Sequence, residues 1–269
     1  METPTSLGII AGNGVYPRLL AQSARRSGVS RIVAAAFTGE TDPCLTNDVD
    51  EVEWMRVGQL GRLLNYFKTA GIHHAIMAGQ IAPKNLFDLR PDVKALVLLA
   101  RLKQRNAESM FGAIADELAK TGVALMPATT FMDQFLAPLG VIAGRALSRR
   151  EEADVDFGFT IAKEVSRLDI GQTVIVKGGT VLAVEAFEGT NEALRRGAAL
   201  AKRGAVMVKV SKPNQDVRFD VPVIGRATID VAAEVHLRVI AVEANRTLLL
   251  EKESLGELAV QSGITVIGR

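Results

Sequence analysis

Lys209, Lys212 and Arg218 share one short stretch with Asp216 and Asp220, in Lys209-Val210-Ser211-Lys212-Pro213-Asn214-Gln215-Asp216-Val217-Arg218-Phe219-Asp220-Val221-Pro222. Cations beside carboxylates suit a diphosphate: the cations offset phosphoryl oxygens, and the carboxylates hold magnesium or take a proton from water. Pro213 and Pro222 bound the polar part, and Val206 to Val210 ahead of it reads as a fully buried strand. Polar loops fixed on a rigid scaffold are where sites concentrate. A surface loop of self-compensating ion pairs would use the same residue types. Glu185 is a second anomaly, because it interrupts Val181-Leu182-Ala183-Val184-Glu185-Ala186-Phe187 on the face that carries Val181, Ala183 and Phe187. A carboxylate there costs free energy unless it is paired or bound to a cation. Asp169 and Glu188 fall at turn positions, where capping or solvation is the plainer role.

Two glycine loops could hold the rest of a phosphorylated ligand. Gly12-Asn13-Gly14 follows a strand and precedes a helix, so its amides and the helix N-terminus could meet a phosphate; a tight turn would also need glycine. A dinucleotide fingerprint would want a third glycine where Pro17 stands, and Glu40 lies slightly too far past the second strand for a ribose ligand. Gly79-Gln80-Ile81-Ala82-Pro83-Lys84 closes another buried strand, and Gln80 and Lys84 could reach a pyrimidine or phosphate from it, or simply be solvated. His73, His74 and His236 lack zinc-site spacing, Cys44 has no visible base partner, and no G-x-S-x-G elbow occurs. Covalent nucleophilic catalysis is disfavoured.

The elements that must position these residues follow from periodicity. In the first half, strands at Leu7 to Ala11, Ile32 to Phe37, Ala75 to Ala78 and Val123 to Met126 alternate with helices. The helices are one opening at Pro17, one carrying Leu60, Leu63, Leu64 and Phe67 before Gly71, and two near 92–104 and 107–120. Around Pro138, Gly140 and Gly144 small residues collect, which predicts a linker and a boundary near residue 145. The second half opens with a helix over 151–168. A hairpin of Thr173 to Lys177 with Thr180 to Phe187 then turns on Gly178-Gly179. Thr190 is expected to cap a helix with Glu192 early and Arg195 and Arg196 late. Beyond the 211–225 loop come a helix near 228–236, a strand pair around Asn245-Arg246, a helix and a terminal strand from Ile264 to Ile267.

The expected fold class is α/β: an N-terminal Rossmann-like parallel sheet with helices over 1–140, and a C-terminal mixed α/β domain with an antiparallel hairpin over 146–269. At 269 residues, 48% hydrophobic, the chain can bury its own core without disulfides, and its one cysteine allows none within the chain. No secretory signal opens it, and its longest apolar runs fall far short of the roughly 20 residues that span a bilayer, so a cytoplasmic location is expected. A net charge of +2 without a basic, aromatic-interleaved stripe argues against nucleic acid.

Several blocks together resemble a known family: L-G-I-I-A-G-N-G-V-Y-P at the start, R-L-D-I-G-Q at 167–172, L-A-V-E-A-F-E-G-T-N-E-A-L-R-R at 182–196, and K-P-N-Q-D-V-R-F-D-V-P-V-I-G at 212–225. They look like the LpxI-type UDP-2,3-diacylglucosamine pyrophosphatases of lipid A biosynthesis. The resemblance implies two domains with the substrate held between them. It also implies magnesium-dependent hydrolysis to UMP and 2,3-diacylglucosamine 1-phosphate, with water attacking the phosphorus nearer the sugar. The family's essential aspartate matches Asp220. With the residue chemistry, this makes Asp220, Asp216, Lys212 and Arg218 the expected catalytic set and Asp220 and Glu185 the expected Mg2+ ligands. Gly12, Asn13, Gly14, Gly79, Gln80, Lys209 and Thr190 are the expected substrate contacts. Expected partners are the lipid-linked nucleotide sugar, a transient contact with the inner membrane surface and a second copy in a homodimer. Two other readings remain open: a dinucleotide-dependent nucleotide-sugar oxidoreductase, and a non-catalytic lipid or nucleotide carrier.

Overall fold

A computed structural model describes residues 3–81, 91–102 and 107–269. The chain divides into two compact units, 1–132 with 216–220, and 133–215 with 221–269.

The first unit is built on five parallel strands, β1 (Ser6–Ala11), β2 (Arg31–Phe37), β3 (Glu51–Met55), β4 (His74–Ala78) and β5 (Ala124–Leu125), in the order β3-β2-β1-β4-β5. The almost continuous apolar runs of β1 and β2 are those of strands covered on both faces. Helix α1 (Tyr16–Arg26) carries Pro17 in its first turn, where a missing N–H costs nothing, and buries Leu20, Ala21 and Ala24. Helix α2 (Leu60–Thr69) buries Leu63, Leu64 and Phe67 on one face. Helices α3 (Val93–Arg101) and α4 (Ala107–Lys120) follow. Strand β3 has no counterpart in the periodicity reading. It is an edge strand paired only with β2, and its acidic surroundings resemble a loop. Because the chain runs β1, β2, β3 outward and returns to β4 on the other flank of β1, the sheet reverses its order between β1 and β4.

The second unit has a six-stranded sheet of order β6-β13-β11-β9-β7-β8. Its members are β6 (Gly140–Ala143), β7 (Thr173–Lys177), β8 (Thr180–Val184), β9 (Val206–Lys209), β11 (Val239–Val242) and β13 (Thr265–Gly268). Strands β9, β11 and β13 are parallel, and β6 and β7 run against their neighbours. A parallel pair, β10 (Val223–Ile224) with β12 (Leu248–Leu249), stands apart. Helices α5 (Arg149–Arg167), α6 (Thr190–Ala201), α7 (Arg226–Glu234) and α8 (Lys252–Gln261) complete it. Ser148 and Glu151 form a reciprocal capping box at the start of α5. Gly178 and Gly179 both take positive φ, 56° and 71°, in the β7–β8 hairpin, as a tight primed turn requires.

The expected α/β class is the observed one, with three local corrections. The stretch read as a linker contains β6, whose small residues let it lie antiparallel on β13. The strands flanking Asn245-Arg246 do not pair. Asn245 turns the chain with φ 58°, but fully buried β11 is flanked by β9 and β13, and β12 joins β10. Thr190 does not cap α6: Gly189 holds the N-cap position without a side-chain bond, and the Thr190 hydroxyl points to another partner. Nor is any basic residue in the last turn of α6, because Arg195 and Arg196 lie mid-helix and bind Glu192, Glu234, Glu188 and the Val184 carbonyl.

Candidate active site

In the first unit the two glycine loops abut at the point where the strand order reverses. The amide of Gly12 donates to the Ala78 carbonyl at 2.7 Å and that of Asn13 to the Gln80 carbonyl at 2.7 Å, while the Gln80 amide returns to Asn13 at 3.4 Å. Only glycine allows this approach. A Cβ on Gly12 would stand 2.7 Å from the Gln80 oxygen, and one on Gly79, at φ 89°, 2.6 Å from the Asn13 oxygen. With the Gly12 and Asn13 amides so engaged, a phosphate at this loop would be met by Gly14 and the N-terminal turn of α1. Lys84, in the same loop on the sequence reading, lies outside the described residues.

The Asp216–Asp220 segment groups with this same unit. The Ala128 amide donates to the Val217 carbonyl at 2.7 Å, and the buried Tyr16 hydroxyl, its pKa raised by burial, donates to the Ala128 carbonyl. Ala128 follows β5 and Tyr16 opens α1, so the segment attaches at the strand-end edge from which both glycine loops emerge. Phe219 packs against Phe111 of α4, ring centres 5.7 Å apart. The Asp220 amide donates to the Asp216 carbonyl at 3.0 Å, closing one helix-like turn. Arg218 grips both oxygens of Asp216, at 2.9 and 2.6 Å, and this pairing holds the Asp216 carboxyl below its usual range. The Asp216–Arg218 pair thus shapes the turn that carries Asp220, and its charges are largely spent on each other.

In the second unit, polar side chains gather at one edge of the six-stranded sheet. Glu185, just past β8, is 9% exposed, and its Oε1 accepts from the Thr190 hydroxyl at 2.7 Å. That hydroxyl accepts from Lys209 Nζ, at the end of β9, at 2.7 Å. Burial pushes the Glu185 carboxyl up, but the Lys209 charge and the hydrogen bonds it accepts outweigh this and leave it lowered. Lys212 pairs with Asp169, which takes φ 58° in the turn before β7. Glu243, just past β11, accepts from Lys163 Nζ at 2.6 Å and from the Ser211 amide and hydroxyl at 2.8 and 2.7 Å. Burial raises its pKa, and the Lys163 and Ser211 bonds bring it below the ordinary value.

Lys163 and Glu243 were not singled out from sequence. Glu243 ends the apolar run Val239–Val242 much as Glu185 ends β8, so the same anomaly marks both. Among the described residues, no three His, Cys, Asp or Glu come together in a set that could hold a metal ion. No described helix is long and apolar enough to cross a membrane.

An open parallel sheet with glycine loops at its reversal point, joined in one chain to a second α/β unit with partly buried acidic and basic side chains at its strand ends, defines a two-unit α/β protein suited to a phosphorylated ligand. The chain belongs to the LpxI family: the LpxI N-terminal domain model matches residues 6–135 and the LpxI C-terminal domain model residues 138–267. It is 32% identical over 273 residues to the UDP-2,3-diacylglucosamine pyrophosphatase LpxI of Caulobacter vibrioides, spanning 97% of this chain and 96% of the relative. Among solved structures it is similar, at 12% identity and a TM-score of 0.31, to the biotin carboxylase domain of Hydrogenobacter thermophilus 2-oxoglutarate carboxylase. That likeness covers 75% of this chain and 42% of the other, and its score is too low to define a shared fold.

Proposed function

We propose that this chain hydrolyses the diphosphate of UDP-2,3-diacylglucosamine to UMP and 2,3-diacylglucosamine 1-phosphate, with magnesium, and that Asp220 is the carboxylate on which turnover depends. The observation that carries this reading is near full-length similarity to a pyrophosphatase of that name, spanning both units. The dinucleotide-dependent oxidoreductase and the carrier have no such support.

The donor set fits magnesium in a lean form. Asp220, which sits on a helix-like turn closed by its own amide and matches the family's essential aspartate, is proposed to hold the ion, with Glu185 as the second candidate. Magnesium is commonly held by one or two carboxylates together with substrate phosphates and water. When bound, it would neutralise developing charge on the bridging oxygen as UMP leaves.

Lys209, held by the Thr190 hydroxyl, and Lys212, held by Asp169, are proposed to offset the phosphoryl oxygens. Gly14 and the first turn of α1 would receive the nucleotide phosphate, and Gly12, Gly79, Asn13 and Gln80 shape that surface. Water adds to the phosphorus nearer the sugar, the bond from that phosphorus to the bridging oxygen breaks, and UMP departs with the oxygen. The hydrolysis is assigned to the cytoplasm, with transient contact at the inner membrane surface where the acylated substrate resides.

Asp220→Ala should abolish release of UMP while circular dichroism and substrate binding stay close to wild type, and a chelator should silence the wild-type chain until magnesium is restored. In heavy-oxygen water the label should enter the sugar phosphate. Substantial turnover by Asp220→Ala would refute the assignment.

A further inference from the structure

Ser211 stands where the chain leaves β9 for the polar loop, and a single ion pair takes its amide, its hydroxyl and its carbonyl. The amide and hydroxyl donate to Glu243 Oε2 at 2.8 and 2.7 Å, and the carbonyl accepts from Lys163 Nζ at 2.9 Å. Lys163 Nζ also donates to the same Glu243 oxygen at 2.6 Å, which closes the set. The two charges come from elements that frame the loop stem: Lys163 follows the core residue Ala162 on α5, and Glu243 lies just past β11. The backbone repeats the tie, since the Glu243 amide donates to the Lys209 carbonyl at 3.1 Å and the Val210 amide to the Gln172 carbonyl at 3.0 Å.

This is more holding than the stem of a loop requires. Strand β9 is already paired on both sides, with β7 and with β11. A partly buried ion pair is also a weak source of net stability, because removing two charges from water offsets much of their attraction. What the pair does supply is geometry. Lys212 comes directly after the clamped residue, and Pro213 after it restricts the Lys212 backbone to extended conformations. The Lys212 amide donates to Gln215 Oε1 at 3.0 Å, and its ammonium meets Asp169. With Ser211 fixed on one side and proline on the other, the direction in which the Lys212 side chain leaves the backbone is set.

We infer that Lys163 and Glu243 act as a positioning pair in the hydrolysis: by fixing Ser211 they set the place of Lys212 against the phosphoryl oxygens of the substrate. The inference rests on the hydrolase reading, in which Lys212 meets the diphosphate, and adds two residues that act through Lys212 without touching the substrate themselves.

The double variant Lys163→Met/Glu243→Leu removes both charges together, so neither is left buried alone, and calorimetry should find it folded. Its kcat on UDP-2,3-diacylglucosamine should fall by about 10- to 100-fold while KM moves little, because a misplaced charge costs rate rather than binding of the acylated substrate. Ser211→Ala deletes one bond of the set and should lose less kcat in the same way. Adding Lys212→Met to either background should cost nothing beyond the larger of the two separate losses, since one residue acts through the other. The cycle built on Ser211→Ala keeps the test open if the double variant folds poorly. Losses that multiply, a rise in KM alone, or wild-type kcat in both backgrounds would each overturn the positioning role. If the wild-type chain releases UMP in any of those cases, only this inference falls. A wild-type chain that releases no UMP sinks the hydrolase reading and this inference with it.

Discussion

The Thr190 hydroxyl has one proton, and it donates that proton to Glu185, so its contact with Lys209 can only be one in which the ammonium donates. The three side chains therefore define each other's charge state: carboxylate, hydroxyl, ammonium. The Glu185 carboxyl is held below its ordinary value of 4.5, so its stabilising contribution is complete above that value and is lost as pH falls through the lower folded one. Glu185→Gln should accordingly melt at a lower temperature than wild type near neutrality and converge on it in acid. Parallel melting curves from pH 7 to pH 3 check this, and a gap that stays constant across the range would show that Glu185 acts by packing alone. The Asp216–Arg218 pair is the contrasting case, bidentate yet partly exposed, and its main effect is on the shape of one turn.

Among the elements, α5 and α6 approach the second sheet through glycine. A Cβ on Gly158 of α5 would stand 2.6 Å from Val208 Cγ2, and one on Gly197 of α6 2.7 Å from Ile175 Cβ. Ile175 and Val176 are adjacent in β7, so alternation sends them to opposite faces, and Val176 is another neighbour of Gly158. The two helices thus cover opposite faces of the sheet, each seated by one missing methyl. Helix propensity alone would favour alanine over glycine by up to about 1 kcal/mol. Here the backbone must shift to admit the methyl, and overpacking of this kind costs about 1–3 kcal/mol. Gly197→Ala should therefore lower the midpoint of chemical denaturation despite the better helix former. A rise in that midpoint would mean that α6 can move away from β7 at little cost.

At the scale of the whole molecule, the chain leaves the second unit for five residues, Asp216–Asp220, and then returns to it. Among the described residues, the Val217 carbonyl on Ala128 and the Phe219 ring on Phe111 anchor those five residues in the first unit. Phe219→Ala removes the second of these while leaving the core strands of both units intact. Misplacing a catalytic group by about 1 Å can cost on the order of 10²-fold in rate, so this variant should lose much of its turnover with a far smaller effect on thermal stability. Steady-state hydrolysis alongside calorimetric melting separates the two, and unimpaired turnover would show that Phe219 has no part in presenting Asp220.

Local patterns in the chain were enough to specify the α/β class, most helices and strands, the Gly178-Gly179 hairpin, and the polar stretch carrying Asp220. Each of these depends on neighbours within a few residues, through apolar period, backbone freedom at glycine or the proximity of opposite charges. Strand β3 and the β6 edge were hidden because an edge strand takes its identity from a distant partner rather than from its own composition. The meeting of Gly12 with Gly79, the grip of Thr190 on Glu185 and Lys209, and the Glu243–Lys163 pair were equally out of reach. They join positions far apart along the chain, or turn a nearby side chain away from its usual local role. Only the packing of strands, which brings their ends to one edge, decides which of those side chains face each other.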